Sequence, residues 1–181
     1  MHIEHTPIDG LMILIPSVYH DDRGYFLETY QQTKFSDAGI SDVFVQDNEA
    51  TSATGVLRGL HYQTGTFAQS KLVRVIRGSV YDVAVDLRPG SATYGHWYGL
   101  ILSGENKRQL YIPRGFAHGY LALEDDTVFA YKCDNVYARE YEGGIRYDDP
   151  GLNITWPQIG LPYQVSEKDL SLPPFGAHLP I

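Results

Sequence analysis

The stretch Ser79-Val-Tyr-Asp-Val-Ala-Val-Asp-Leu87 alternates: Tyr81, Val83, Val85 and Leu87 fall on one side, Asp82, Ala84 and Asp86 on the other. Successive side chains of a strand point to opposite faces, so a period of two predicts a β-strand with one face in a core. The segments KLVRVIRG, WYGLILS, QLYIP, GYLAL and TVFAYK read as further strands. Turn residues at Arg88-Pro-Gly-Ser91 and Glu124-Asp-Asp126 punctuate them. Many short strands at near-regular spacing predict an all-β chain built as a sandwich or barrel of antiparallel strands. Helix is confined to one short piece within Gln31 to Ala38 and one near Ser166 to Leu170.

With 181 residues and 43% hydrophobic content, the chain is long enough for one well-buried core and is expected to form a single domain over residues 1–181. Its 14 tyrosines and 7 phenylalanines suit barrel filling and stacking on flat ligands. A lone cysteine, Cys133, excludes an intrachain disulfide and a cysteine-based metal site, which fits a reducing compartment. The segment MHIEHTPIDG lacks the apolar core of a signal peptide, and no run approaches the roughly 18 apolar residues of a membrane span. A cytoplasmic chain without a membrane partner is expected, in which the sequon Asn153-Ile-Thr155 meets no glycosylation machinery. A formal charge of −8 argues against nucleic acid as a partner. An anionic ligand would have to be held by a few local Arg and Lys side chains.

The run Arg58-Gly-Leu-His-Tyr-Gln63, led in by Val56 and Leu57, puts three polar side chains on a strand that otherwise reads as buried. Each needs a partner, since an unmade hydrogen bond there costs about 1–3 kcal/mol. Pro113-Arg-Gly-Phe-Ala-His118 resembles the Pro-x-Gly-x-x-His motif of the cupin barrel, whose first motif would centre on His61. Metal-binding cupins usually supply a His-x-His pair plus a carboxylate, because a divalent ion needs three or four protein ligands. Here Gln63 stands two after His61, and Lys71 follows where an anion would be wanted, so neither a metal nor another cofactor is expected.

Without a metal, His61 is either a satisfied core residue or a base, its neutral form accepting a proton near neutrality. Arg58 stands three residues before it and Lys71 ten after it, a spacing that a hairpin would bring onto neighbouring strands. Strict alternation places Arg58 and His61 on opposite faces; a bend at Gly59 puts both in one cavity, whereas a regular strand removes one of them. Tyr131 is either a proton-donating phenol or an ordinary strand tyrosine. Ser166-Glu-Lys-Asp169 reads as a capped turn with Ser166 as N-cap, or as the segment that brings Asp169 back to orient His61. In Asp22-Arg-Gly-Tyr-Phe-Leu-Glu28, Arg23 and Glu28 form a surface ion pair, or Arg23 presents its fork to a phosphate.

DDRGYFLE, QDNEATSATGVLRGLHYQ, FAQSKLVRVIRGSVYDVAVDLR, YIPRGFAHGY, AYKCDNVY, YEGGIRYDDPGLNITWP and SEKD, in that order, resemble the dTDP-4-dehydrorhamnose 3,5-epimerases. The resemblance implies a cupin-type double-stranded β-helix, a jelly-roll barrel, working without metal as a homodimer. It implies epimerisation of dTDP-4-keto-6-deoxy-D-glucose at C3 and C5 to dTDP-4-keto-L-rhamnose. By position it makes His61 the general base, Asp169 its partner, Tyr131 the general acid and Lys71 the neighbour of the C4 carbonyl oxygen. Arg23, Glu28, Gln46, Asn48, Arg58, His118, Glu142 and Lys168 match substrate-contacting positions, those near Arg23 and Glu28 reaching the partner's site.

The residue types suit that chemistry. A proton beside a ketone leaves only if the enolate is stabilised, and Lys71 supplies positive charge there. A phenol with an ordinary pKa near 10 is protonated and ready to donate. On this reading the polar triplet of RGLHYQ serves a ligand rather than the fold. Alternatives are a relative inverting only C3 or C5, a metal-dependent oxygenase, and a non-catalytic sugar-nucleotide binding module.

Overall fold

The computed structural model describes all 181 residues. It begins with β1 (His2–His5) and β2 (Met12–Ile15), then a hairpin of β3 (Val18–Asp21) and β4 (Gly24–Leu27), and helix α1 (Gln32–Asp37). The central strands are β5 (Gln46–Ser52), β6 (Val56–Gln63), β7 (Lys71–Arg77), β8 (Ser79–Asp86), β9 (Trp97–Ser103), β10 (Gln109–Ile112), β11 (Phe116–Ala122) and β12 (Thr127–Cys133). After them come β13 (Glu142–Gly144), β14 (Gln164–Val165) and α2 (Glu167–Leu170). Every strand expected from alternation is present.

Two sheets result, with strand orders β1-β2-β10-β7-β12-β5 and β13-β6-β11-β8-β9. Neighbours within them are antiparallel, and β14 adds to β6 in parallel. Between the sheets lies a core to which both contribute: Val73, Val75, Leu110 and Phe129 from the first, Val80, Ala84, Leu102 and Tyr120 from the second. The β3–β4 hairpin pairs with neither sheet.

The outer faces are covered as well. Phe35, anchored by α1, packs with Met12, Leu14 and Leu72 outside the first sheet. Gln31 caps that helix by accepting the Lys34 N–H at 2.6 Å. Outside the second sheet, Ile145, Leu152 and Trp156 cover Leu57, Val83, Val85 and Leu121. This corrects the expectation for Ser79–Leu87: β8 is buried on both faces, with Asp82 and Asp86 fully inside. The covering segment is largely irregular, so its contribution leaves no periodic signal in the sequence.

Where β6 meets β11, the register shifts between His118 and Tyr120. Gly59, at a φ of 125°, makes the shift possible. A Cβ on Gly59 would lie 2.5 Å from the Gly119 Cα, and one on Gly119 would lie 2.7 Å from the Arg58 carbonyl oxygen. The backbones themselves are in contact, with no room for a methyl group. The bend anticipated at Gly59 is therefore real, and it turns Arg58 and His61 into one cavity. Gly119→Ala is expected to destabilise the protein by about 3 kcal/mol, because the clash is with backbone rather than with a movable side chain. Urea unfolding tests this, and a loss below about 0.5 kcal/mol would mean that the strands separate freely.

Candidate active site

Between the sheets opens a cavity of about 400 Å³ whose lining includes Arg58, His61, Lys71, His118, Tyr131 and Asp169. A neighbouring space of about 370 Å³, reaching Gln46, Asn48, Tyr137 and Glu142, shares His61, Lys71 and Tyr131 with it. The two compartments meet at those three side chains. Lys71 lies opposite Cys133 in the β7–β12 ladder, so Tyr131, two residues before Cys133, shares its side of the first sheet. His61 belongs to the second sheet, so the hairpin expected between the His61 and Lys71 strands does not form: β6 and β7 lie in different sheets and the two side chains meet across the cavity instead. Imidazole and phenol thus approach from opposing walls.

His61 Nε2 lies 2.7 Å from Asp169 Oδ1. That engagement leaves Nδ1 as the ring's other polar atom. The second oxygen of Asp169 accepts the Gly59 N–H at 3.2 Å. Ser166 caps α2 by accepting the Asp169 N–H at 3.1 Å, so both readings of that segment hold at once. Burial would raise the Asp169 pKa, but the bond and charge of His61, with the Gly59 N–H and Ser166, outweigh it and hold the carboxyl below its ordinary value. Asp169 is therefore a persistent anion behind the imidazole.

Lys71 makes neither an ion pair nor a hydrogen bond within the chain, and burial lowers its pKa against the opposing pull of Cys133, Asp82 and Glu142. Burial likewise raises the Tyr131 pKa, keeping the phenol protonated. Arg58 touches only Ser52 Oγ at 3.4 Å and the Thr51 carbonyl at 3.3 Å, so no carboxylate neutralises it. Burial pushes the Cys133 thiol up to about 11, against the lowering effect of Lys71, which makes it a structural thiol.

At the mouth, Glu142 binds Lys168 at 2.6 Å and the Tyr137 hydroxyl at 3.0 Å. Gln46 accepts the Tyr137 N–H at 2.9 Å and donates to Asn48 at 3.1 Å. Arg23 and Glu28 stand apart: on and just after the β3–β4 hairpin, they pair with Asp21 and Lys34 and do not line the His61 cavity.

Gln63 overturns one expectation. Its amide donates to the carbonyls of Phe67 and Val136 at 2.9 and 3.1 Å and accepts the Ala138 N–H at 2.6 Å. It is buried and fully engaged with backbone, so within the polar triplet it serves the fold. No group of three or more His, Cys, Asp or Glu side chains is arranged to hold a metal ion. Conversely, Asp82 was not anticipated: His118 Nε2 lies 2.9 Å from its Oδ2, deep in the barrel. The available signal was a carboxylate within a run of apolar strand residues.

A jelly-roll of this topology, carrying its site between the sheets, is a cupin-type barrel. The family model for dTDP-4-dehydrorhamnose 3,5-epimerase matches residues 5–177, and the chain belongs to that family. It is thereby an isomerase. It is 52% identical over 170 residues to the dTDP-4-dehydrorhamnose 3,5-epimerase of Methanothermobacter thermautotrophicus, covering 93% of this chain and 91% of that one. With the Escherichia coli enzyme the identity is 49% over 159 residues, covering 87% and 86%. A crystal structure of the Legionella pneumophila dTDP-6-deoxy-D-glucose-3,5-epimerase, in complex with dTDP-4-keto-L-rhamnose, superimposes with a TM-score of 0.94 at 50% identity, covering 97% and 93%. A 3'-monoepimerase from Streptomyces bikiniensis, in complex with dTDP-quinovose, gives 0.89 at 31% identity, covering 94% and 86%. No helix of the chain is long and apolar enough to cross a membrane.

The unpaired Lys71 has a measurable signature. Because its folded pKa is lowered, the unfolded chain holds that proton more tightly, and folding becomes more favourable as pH climbs from the folded value toward the ordinary one near 10.4. Below the folded value the cation is present in both states and its burial opposes folding. Lys71→Met is therefore expected to be about 1 kcal/mol more stable than wild type at pH 7, with the advantage shrinking as pH approaches 10. Urea titrations at both pH values check this; a variant less stable at pH 7 would show that Lys71 supports the fold.

Proposed function

We propose that the chain converts dTDP-4-keto-6-deoxy-D-glucose to dTDP-4-keto-L-rhamnose by inverting C3 and C5, on the route to dTDP-L-rhamnose. The observation that carries this reading is the carboxylate-backed imidazole of His61 facing Lys71 and Tyr131 across one cavity. His61 Nδ1 removes the proton from a carbon next to the C4 ketone, and Asp169 stabilises the imidazolium that forms. Electron density passes to the C4 oxygen, where Lys71 offsets the developing negative charge. Tyr131 delivers a proton to the other face of the enolate, which inverts the centre. One ketone acidifies both neighbouring carbons, so the same groups serve twice.

The remaining positions divide the ligand. Arg58, His118 and Lys168 line the larger compartment, while Gln46, Asn48 and Glu142 line the adjoining one. Free cationic groups allow an acidic chain to retain a diphosphate-linked substrate. Inversion at one carbon alone would use the same machinery. The higher identity to the Legionella 3,5-epimerase than to the Streptomyces monoepimerase favours the two-centre reaction.

A homodimer completes the site. Tyr19 and Phe26, cross-strand partners on the β3–β4 hairpin, are 65% and 69% exposed, and a two-stranded hairpin joined to no sheet needs cover. A second copy supplies it, and the hairpin brings Arg23 and Glu28 to the partner's cavity.

Two experiments test the reading. In heavy water the wild type should place deuterium at both C3 and C5 of the product, and His61→Ala should lose turnover while melting cooperatively. Label at one carbon would point to the single-centre reaction; retained turnover in the variant would sink the role of His61. For the dimer, inactive Arg23→Ala and His61→Ala proteins are mixed and allowed to exchange subunits. Each mixed dimer has one intact site, so about a quarter of wild-type turnover should return; no recovery despite exchange would place Arg23 outside the partner's site.

A further inference from the structure

The cavity contains a second histidine–carboxylate pair whose carboxylate the proposed chemistry leaves without a role. His118 is the direct cross-strand partner of His61 and lines the same cavity. Its Nε2 lies 2.9 Å from Asp82 Oδ2. The side chains are 8% and 0% exposed, and the His118 ring stacks on Phe129 with 6.0 Å between centroids. Asp82 Oδ1 is buried without a hydrogen-bond partner. A carboxylate placed so deep opposes folding, and its nearest strand neighbours on that face, Val80 and Ala84, are apolar. The fold alone gives no reason for Asp82.

The surrounding charges decide the state of the ring. Around the cavity stand Arg58 and His61 of β6, Lys71 of β7, Tyr120 of β11, Tyr131 of β12, and Lys168 and Asp169 of α2. Lys168 is paired with Glu142, whereas Lys71 and Arg58 face the cavity without a carboxylate partner. A third cation on this wall would meet two like charges. A carboxylate only accepts, so in the neutral ring Nε2 carries the hydrogen and Nδ1 keeps its lone pair.

We propose that Asp82 is a positioning residue: it locks His118 in the Nε2–H tautomer, so that Nδ1 accepts a hydrogen bond from a hydroxyl of the bound sugar and the cavity selects for that hydroxyl. The proposal rests on the epimerase reading of this cavity. A site built to bond a hydroxyl rejects the analogue that lacks it, because the buried group is then left unpaired.

The first measurement is nitrogen-15 NMR of histidine-labelled wild-type protein, with His118 assigned by its loss in His118→Asn. A protonated Nε2 and bare Nδ1 near pH 7 are expected; an imidazolium or the opposite tautomer overturns the proposal. The second compares dTDP-4-keto-6-deoxyglucose with its 2-deoxy and 3-deoxy analogues. Binding is measured on a His61→Ala background, which reports selection even if the epimerase reading fails. One analogue should bind about 100-fold more weakly than the parent sugar. In Asp82→Asn, whose amide can donate to Nε2 and reverse the tautomer, the ratio should fall below about 10-fold. His118→Asn, which leaves Asp82 in place, should lose the selection equally if Asp82→Asn does not fold. Equal affinities for all three sugars in the Asp82-containing protein, or an unchanged ratio in the variants, would make the pair purely structural.

Discussion

The contact of Gly59 with Gly119 governs the arrangement of the site. A side chain on either residue would force β6 and β11 further apart. Pressed together, they shift, and Arg58 and His61 come to line the same cavity. The Gly59 N–H and His61 Nε2 are then met by the two oxygens of Asp169. A single carboxylate on a four-residue helix thus ties the bend in the strand to the orientation of the imidazole, and Ser166 fixes the helix by its cap.

Around that contact the charges are arranged for a ligand and against the stability of the empty barrel. Lys71 has no partner, Arg58 has only weak ones, and Asp82 keeps an oxygen bare. Lys71 and Asp82 carry a desolvation cost that hydrophobic packing between the sheets must offset. Such charges are already in place when negative charge develops on a reactant, so little reorganisation is needed at that moment. The net charge of the chain says nothing of this, because it sums over the whole sequence whereas Lys71 and Arg58 act at one cavity.

Much of the fold was legible from alternation and capping. The strands Lys71–Arg77, Phe116–Ala122 and Thr127–Cys133 follow from short apolar runs between turn residues, and the second short helix from its Ser166 cap. What escaped has identifiable causes. Residues that cover a sheet without forming strands or helices leave no period, so β8 was read as half-buried although Trp156 and Leu152 close its outer face. Gln63 resembled its polar neighbours because nothing local reveals that its amide meets carbonyls near residues 67 and 136. Whether Arg58 and His61 share a wall depends on how closely another strand approaches, which a single strand's sequence poses as a question. The assignment of roles to Arg23 and Glu28 came from family resemblance, and within one chain their ion pairs lie on a separate hairpin.

The distance along the chain between the two halves of the dyad bears on the order of assembly. His61 and Asp169 are 108 residues apart, and every strand of the two main sheets except β14 is complete at Gly144. Chains fold from the N-terminus as they emerge from the ribosome. A nascent chain that has made β13 already carries Arg58, Lys71, Tyr131 and the imidazole. It still lacks the carboxylate that fixes the tautomer and the Leu152–Trp156 cover of the second sheet. The Asp169 carboxylate therefore arrives last, after the walls of the cavity and just behind the segment that seals the core.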